Sequence, residues 1–368
     1  MLVCAAALAL VPPALAAGPS VHARAFVVED GRTGEVLLAH NPTERVPIAS
    51  LTKMMTVLLT LEHSRLSDTV TISPEAAEIG ESSIGLRAGE RISVRDLVEA
   101  ALIQSANDAA WALADHVAHG SESKFVALMN RRARQLGLAD THFVRPDGLD
   151  APGHVSSARD VTTLARLLMQ KPVVRKIVAM RDATIEGDRR LHTWNDLLGV
   201  YPGLIGVKTG HTSAAGWSEA GAVRGPGVTV YATILGSPNR QVRNNGLASL
   251  MTWGLARFRV VRAVTAGQVY ASTHTSYDKG MLDLVAPRSV GRAVVRDRPL
   301  VERIVAPMGV DLPVRKGQKL GEVRVYERGQ LVARSPLVAA RSIDEPGVAG
   351  RAGWYVKRTA HNMWSWVS

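Results

Sequence analysis

The sequence runs to 368 residues, with 46% apolar residues, a formal charge of +11 and a single cysteine. That length holds one large domain and a smaller one, and that apolar share excludes a disordered chain. The charge sits late: residues 262–368 carry 17 Lys+Arg against 9 Asp+Glu, and residues 1–261 carry 27 against 24, so anionic lipid and nucleic acid are the partners to weigh for the C-terminal part.

The chain opens on an export signal. Leu2 to Val11 is an apolar run and Ala14-Leu15-Ala16 is a small-x-small cleavage site, which predicts removal of residues 1–16. The basic stretch that normally leads such a signal is missing, which points to a start further upstream. Cys4 lies inside this segment, so the mature chain is expected to hold no disulfide, thiol nucleophile or cysteine metal site. Export makes nucleic acid the poorer partner, and none is expected. No later apolar stretch approaches the roughly 20 residues that span a bilayer.

Strands are predicted at Ala25–Glu29 and Val36–His40, joined by the turn Asp30-Gly31-Arg32-Thr33-Gly34. A helix follows from Ala49 to about His63, with Leu51, Met54, Met55, Leu58 and Leu59 at helical spacing. Further helices are expected at Val94–Ile103, Asn107–His119, Ser121–Leu136 and Ser157–Met169. Strands return at Leu204–Lys208, Trp217–Val223 and Val228–Leu235, before a helix near Gln241–Ala256. Strands, a helical block, strands and a closing helix predict an α+β domain over residues 17–260, a helical cluster on a mostly antiparallel sheet. From about Val261 short β-rich runs alternate with Gly and Pro, at Met281–Ala286, Arg292–Val295, Val301–Val305, Gly321–Glu327 and Leu331–Ala333. They predict a small all-β domain over 261–345, followed by a tail helix over 350–368.

Three short motifs carry chemistry. In Ser50-Leu51-Thr52-Lys53, helical spacing brings Ser50 Oγ and Lys53 Nζ one turn apart on one face. A serine hydroxyl is a weak nucleophile until a base takes its proton, and a lysine serves only when its pKa is lowered. In Ser105-Ala106-Asn107, the hydroxyl suits proton relay and the amide suits a substrate carbonyl. In Lys208-Thr209-Gly210, expected at a strand end, the amine is a fixed cation, the threonine hydroxyl suits a carboxylate, and the glycine allows close approach. Each motif alone also reads as plain structure, an N-cap serine or a turn glycine.

Together and in this order the motifs resemble those of penicillin-binding proteins and class A β-lactamases. Ile103-Gln104-Ser105-Ala106-Asn107-Asp108-Ala109, Gly148-Leu149-Asp150-Ala151-Pro152-Gly153, Ser157-Ala158-Arg159-Asp160 and Lys208-Thr209-Gly210-His211-Thr212 are similar to the low-molecular-mass D-alanyl-D-alanine carboxypeptidases. The likeness runs from about Ala25 to Arg257. It continues more weakly through Ala306-Pro307, Lys316-Gly317-Gln318 and Ser335-Pro336-Leu337-Val338.

The resemblance implies a DD-peptidase/β-lactamase-like fold and an acyl-enzyme mechanism. Ser50 attacks the penultimate D-alanine carbonyl of a peptidoglycan pentapeptide ending in D-Ala-D-Ala. Lys53 is the base, kept neutral in part by Lys208, and the leaving D-alanine is protonated through Lys53 or Ser105. The backbone N–H groups of Ser50 and His211 form the oxyanion hole. Asn107, Lys208, Thr209, Gly210 and Arg243 bind substrate, with Arg240 the competitor of Arg243 for the terminal carboxylate. β-Lactams acylate Ser50 as inhibitors. No cofactor and no metal are implied: His116 and His119 lack a third ligand and a helical Glu base. The alternatives are a β-lactamase, for which Asp150 and Asp160 are the carboxylates in the right region, a DD-endopeptidase, or a non-catalytic penicillin-binding sensor.

The tail 354–368 holds three of the seven tryptophans. On a helix, Tyr355, Val356, Ala360, Met363, Trp364, Trp366 and Val367 fall on one side. Lys357, Arg358, His361, Asn362 and Ser365 fall on the other, and Trp354 and Thr359 break the pattern. This predicts an interfacial helix on an anionic membrane surface. The enzyme is thus expected on the periplasmic face of the cytoplasmic membrane, the β domain acting as its stalk.

Overall fold

The computed structural model describes residues 18–364, and divides into one unit ending at Ala256 and another beginning at Arg257. The expected export signal with Cys4 lies outside the described residues, as do Ser365, Trp366 and Val367 of the tail.

The first unit starts with strands β1 (Ala25–Asp30) and β2 (Val36–His40). A 3₁₀ turn, Ala49–Thr52, then runs straight into helix α1 (Lys53–His63). The helical block follows as α2 (Pro74–Glu78), α3 (Val94–Glu99), α4 (Asn107–Ala118), α5 (Glu122–Gln135), α6 (Ala158–Leu168) and α7 (Pro172–Ile177). Two hairpins lie within it, β3 (Thr69–Thr71) with β4 (Arg91–Ser93), and β5 (Asp182–Ile185) with β6 (Arg189–His192). Strands β7 (Leu204–Thr212), β8 (Gly216–Gly225) and β9 (Val228–Ser237) and helix α8 (Arg240–Ala256) complete the unit.

The main sheet has the order β2-β1-β9-β8-β7, antiparallel throughout, as the alternation of strands and helices led one to expect. Its β7 edge is unpaired by the sheet. Helix α8 lies close on the sheet because its own glycines are in the way of nothing: a Cβ at Gly254 would stand 2.8 Å from both Val28 and Val230. Leu51, Met54, Met55, Leu97, Leu113, Phe125 and Leu164 fill the core between helices and sheet. The expected helix starts at Ser121 and Ser157 are N-caps, their hydroxyls accepting from Lys124 N and Asp160 N.

Three differences from the expected elements matter for the site. The Val94–Ile103 helix is α3 followed by a π-helical turn, Ala100–Gln104, that ends on Ser105 in the left-handed region (φ +67°). Strand β7 does not stop at Lys208 but continues to Thr212, so Lys208-Thr209-Gly210 lies within the strand, paired to Ala220, Glu219 and Ser218 of β8. Helices α2 and α7 are too short for a periodic signal and begin instead with Pro74 and Pro172 in the first turn.

The second unit comprises β10 (Phe258–Val264), β11 (Val269–Thr275), β12 (Met281–Val285), β13 (Val290–Val295), β14 (Leu300–Val305), β15 (Gly309–Val310), β16 (Lys319–Glu327), β17 (Gln330–Ala339) and α9 (Val348–Trp364). Six strands form a sheet in the order β14-β16-β17-β12-β11-β15, and β10 pairs with β13. Val264, Leu282, Leu284, Val323, Val325 and Leu337 form its own core. At the start of α9, Trp354 packs edge-on against Tyr277 at 5.3 Å, and Arg351 pairs with Glu345 at 3.0 Å. Trp354, one of the two residues that broke the amphipathic pattern, is thus turned to Tyr277 in the turn after β11, while Tyr355 and Val356 are exposed. No helix among the described residues is long and apolar enough to cross a membrane.

The segment 146–149 is stitched onto the turn that carries Ser50. Thr56 Oγ1 donates to Pro146 O at 2.6 Å, and a Cβ on Gly148 (φ +87°) would stand 2.1 Å from Ala49 O. Any side chain there combines a left-handed backbone with a backbone clash, so Gly148→Ala costs at least about 1–3 kcal/mol of strain. Its thermal unfolding midpoint should fall below that of the wild type; an unchanged midpoint contradicts this packing.

Candidate active site

Ser50 sits in the 3₁₀ turn ahead of α1, and Lys53 is the first residue of the helix proper, fully buried. Lys53 Nζ stands 2.8 Å from Ser50 Oγ, 2.7 Å from Asn107 Oδ1 and 2.8 Å from Asp147 O. The last two are pure acceptors. A neutral amine has two N–H groups for them and one lone pair left, and that lone pair then falls on the Ser50 hydroxyl. Burial pushes the Lys53 pKa down to about 8; the Asp147 carboxylate opposes this and the Arg145 guanidinium adds to it. Burial is therefore the first cause that disfavours the Lys53 cation. Lys208 is itself drawn well below the ordinary lysine range, first by burial and then by the Lys53 charge.

Asp147 anchors this corner. Arg145 Nε and Nη2 donate to its two carboxylate oxygens at 2.6 and 2.8 Å, and Trp111 Nε1 and Leu149 N donate at 2.7 and 3.0 Å. The carboxylate fixes its own backbone carbonyl under Lys53. Asn107 Nδ2 donates to Gly80 O at 3.0 Å, which sets the amide with its oxygen toward Lys53 and leaves a second N–H.

The strand β7 closes the other side. Lys208 Nζ donates to Ser105 Oγ and to Thr209 O, both at 2.9 Å. The left-handed turn at Ser105 aims its hydroxyl at that amine. The close approach at Gly210 is made by the chain itself: a Cβ there would stand 2.9 Å from Ile48 O and 3.3 Å from Ala49 Cβ. Glycine lets the strand lie against the turn holding Ser50.

Ser50, Ser82, Ser105, Trp194, Thr209, Gly210, His211, Trp217, Arg240 and Arg243 line one cleft of about 220 Å³. Arg243 is buried; its Nη2 donates to Asn244 Oδ1 at 2.6 Å and meets Asp196 at 3.3 Å, and its Nε stands 3.2 Å from Glu219. Arg240 forms a two-pronged pair with Asp196 and lies over Trp194 and Trp217. His211 is exposed, its ring 4.0 Å from that of Trp217. The cleft thus combines a hydroxyl beside an amine, a second hydroxyl–amine pair, and a cationic end without a lining carboxylate among the described residues. That set can perform acyl transfer on a substrate ending in a carboxylate.

Sequence reasoning placed Ser50, Lys53, Ser105, Asn107, Lys208, Thr209, Gly210, His211 and Arg243 here, and the structure brings them together. It missed Asp147, Asp196 and Glu219. Asp147 O meets Lys53 across 94 positions, beyond any local pattern. Glu219 had one signal, a lone acid inside the strand run Trp217–Val223. Asp150 accepts from Thr212 Oγ1 at 2.6 Å and Asp160 from Thr141 Oγ1 at 2.7 Å; neither lines the cleft.

Comparison with known proteins points to one family. A family model described as D-alanyl-D-alanine carboxypeptidase matches residues 13–239. The chain is 32% identical to the D-alanyl-D-alanine carboxypeptidase DacC of Escherichia coli over 95% of this chain and 92% of that protein. It is 33% identical to DacD of Salmonella typhimurium over 93% and 92%. Among solved structures, penicillin binding protein 6B of Escherichia coli superposes with a TM-score of 0.67 at 28% identity, covering 89% of this chain and 98% of that one. A peptidoglycan synthesis regulatory factor (PBP3) of Streptococcus pneumoniae gives 0.70 at 27% identity, over 88% and 100%. A serine beside a buried lysine and facing a Lys-Thr-Gly strand, in a sequence matched over most of its length, places the chain in the D-alanyl-D-alanine carboxypeptidase family of serine peptidases.

Proposed function

We propose that Ser50 is the nucleophile of this D-alanyl-D-alanine carboxypeptidase and Lys53 its general base. The observation that carries the reading is the 2.8 Å contact between Ser50 Oγ and a fully buried Lys53 Nζ whose other two contacts are acceptors. As the hydroxyl attacks the penultimate D-alanine carbonyl of a peptidoglycan stem, its proton passes to Lys53. The oxyanion forms at the Ser50 and His211 backbone N–H groups. Collapse breaks the peptide bond, and the departing amine takes a proton through Lys53 or through Ser105, which Lys208 holds. Water then hydrolyses the acyl-enzyme, activated by the same amine. A β-lactam enters by the same attack.

The stem lies along the free edge of β7, where main-chain hydrogen bonds hold an extended peptide. The free N–H of Asn107 takes a substrate carbonyl. The terminal carboxylate meets Thr209, Lys208 and Arg243. Arg240 and Arg243 both pair with Asp196; the burial of Arg243 against Glu219 fixes its guanidinium and favours it for that role. A β-lactamase reading is the weaker: fast deacylation needs a carboxylate aimed at the ester water, and Asp150, in a loop, and Asp160, in the first turn of α6, are both held outside the cleft.

Residues 17–260 form the peptidase domain and 261–345 the small β domain in this proposal. Residues 1–16 direct export to the periplasm. The tail over 350–368 rests on the anionic membrane surface, supported by the exposed Tyr355 and Val356 and the basic charge of the C-terminal part.

Two outcomes test this. Wild-type protein should release free D-alanine from a diacyl-tripeptide ending in D-Ala-D-Ala and take up a fluorescent penicillin, and Ser50→Ala should lose both; labelling that survives moves the nucleophile elsewhere. Truncation before Gly350 should free the protein from sedimenting membranes with its activity intact, and a truncated form still on the membrane rules out the tail as main anchor.

A further inference from the structure

Glu219 belongs to none of the three motifs, yet its side chain on β8 is fully buried. It stands opposite Thr209 of β7, so the two side chains share one face of the sheet. Gly221, two residues on, shares that face, and a Cβ there would meet Leu247 and Met251 of α8 at 3.1 and 3.4 Å. The face is the one that α8 covers. Glu219 is therefore enclosed between sheet and helix, directly behind the cleft.

Neither of its carboxylate oxygens accepts a well-aligned hydrogen bond. Arg243 Nε, on α8, stands 3.2 Å from Oε2. The other polar groups facing it are Lys208 on β7 and Asn195 and Asp196 on the loop before β7. A carboxylate so enclosed and so poorly hydrogen-bonded stays in place only through neighbouring charge. The neighbouring cations are two that line or close the cleft. Arg243 engages Nε and Nη2, with Glu219, Asn244 and Asp196; Nη1 makes no such contact among the described residues and is left for a ligand. Asp196 does not supply the same hold, because it is partly exposed and carries the pair with Arg240 and the amide of Asn244.

We propose that Glu219 is a positioning residue for recognition of the substrate's terminal carboxylate, fixing the Arg243 guanidinium from behind and favouring the positive charge of Lys208. The inference rests on the carboxypeptidase reading and deepens it. Glu219 touches no substrate; it acts through the two cations. Without its charge Arg243 loses its buried counter-ion and can turn, and Lys208 loses the group that favours its ammonium form.

The test compares two diacyl-tripeptides, one ending in D-Ala-D-Ala with a free carboxylate and one with the terminal carboxylate amidated. Damage to Ser50 or Lys53 lowers kcat/KM for both alike, whereas lost carboxylate recognition lowers the free-acid to amide ratio. Glu219→Gln should cut that ratio about tenfold, as expected for loss of one charge-assisted contact, any change at the Lys208–Ser105 pair that both substrates share cancelling in the ratio. Wild-type enzyme supplies a second measurement that does not depend on a variant folding. Burial pushes the Glu219 pKa up to about 7, so its charge is present above that pH and lost below it. The ratio should fall as pH drops through about 7, and the titration of Lys53 cancels because both substrates use it. A Gln variant with the wild-type ratio, or a wild-type ratio flat across this range, overturns the role of Glu219 and leaves the enzyme reading standing. A wild-type protein that releases no D-alanine from the free-acid peptide overturns the enzyme reading itself, and this inference with it.

Discussion

The site depends on keeping an amine dry beneath a serine. Enclosure disfavours the ionised Lys53 enough to bring its pKa down to about 8; neutral, it has two donors and one acceptor to place. The fold meets that need from three directions. The turn before α1 offers Ser50, the start of α4 offers Asn107, and the loop after α5 offers the carbonyl of Asp147. Each comes from a different part of the helical block, so the block must be assembled before the amine finds its partners. This makes the packing of the domain and the reactivity of Ser50 one problem.

A second theme is that carboxylates stand behind the cations and not in the cleft. Asp147 lies behind Lys53, held by Arg145, Trp111 and a backbone N–H. Asp196 and Glu219 lie behind Arg240 and Arg243. The cations are thereby fixed, while the open side keeps positive potential for an anionic terminus. The short approach of β7 to the serine turn at Gly210 lets this cationic end and the nucleophile share one cleft.

Much of this was legible in the sequence because it is local. Ser50 and Lys53 are one turn apart, and the apolar spacing after Ala49 already defines the helix that carries them. The sheet strands were readable as apolar runs, though the end of β7 was not: Thr209-Gly210-His211-Thr212 contains no apolar residue, and its strand form comes from pairing with β8. The short helices α2 and α7 fall below the length at which periodicity speaks. Asp147 and Glu219 escaped because their roles are created by tertiary contact, Asp147 across 94 positions. Trp354 looked like a flaw in an amphipathic tail; its contact with Tyr277 supplies the reason it is there.

The central claim is that burial makes Lys53 a base. It can be read directly from the ionisation of that amine, by nitrogen NMR of lysine-labelled protein with the resonance assigned by its loss in Lys53→Arg. The account predicts titration at about 8. A Lys53 amine that titrates at the ordinary lysine value of 10.5 would contradict it, since the group facing Ser50 would then be a cation with no lone pair to accept the proton.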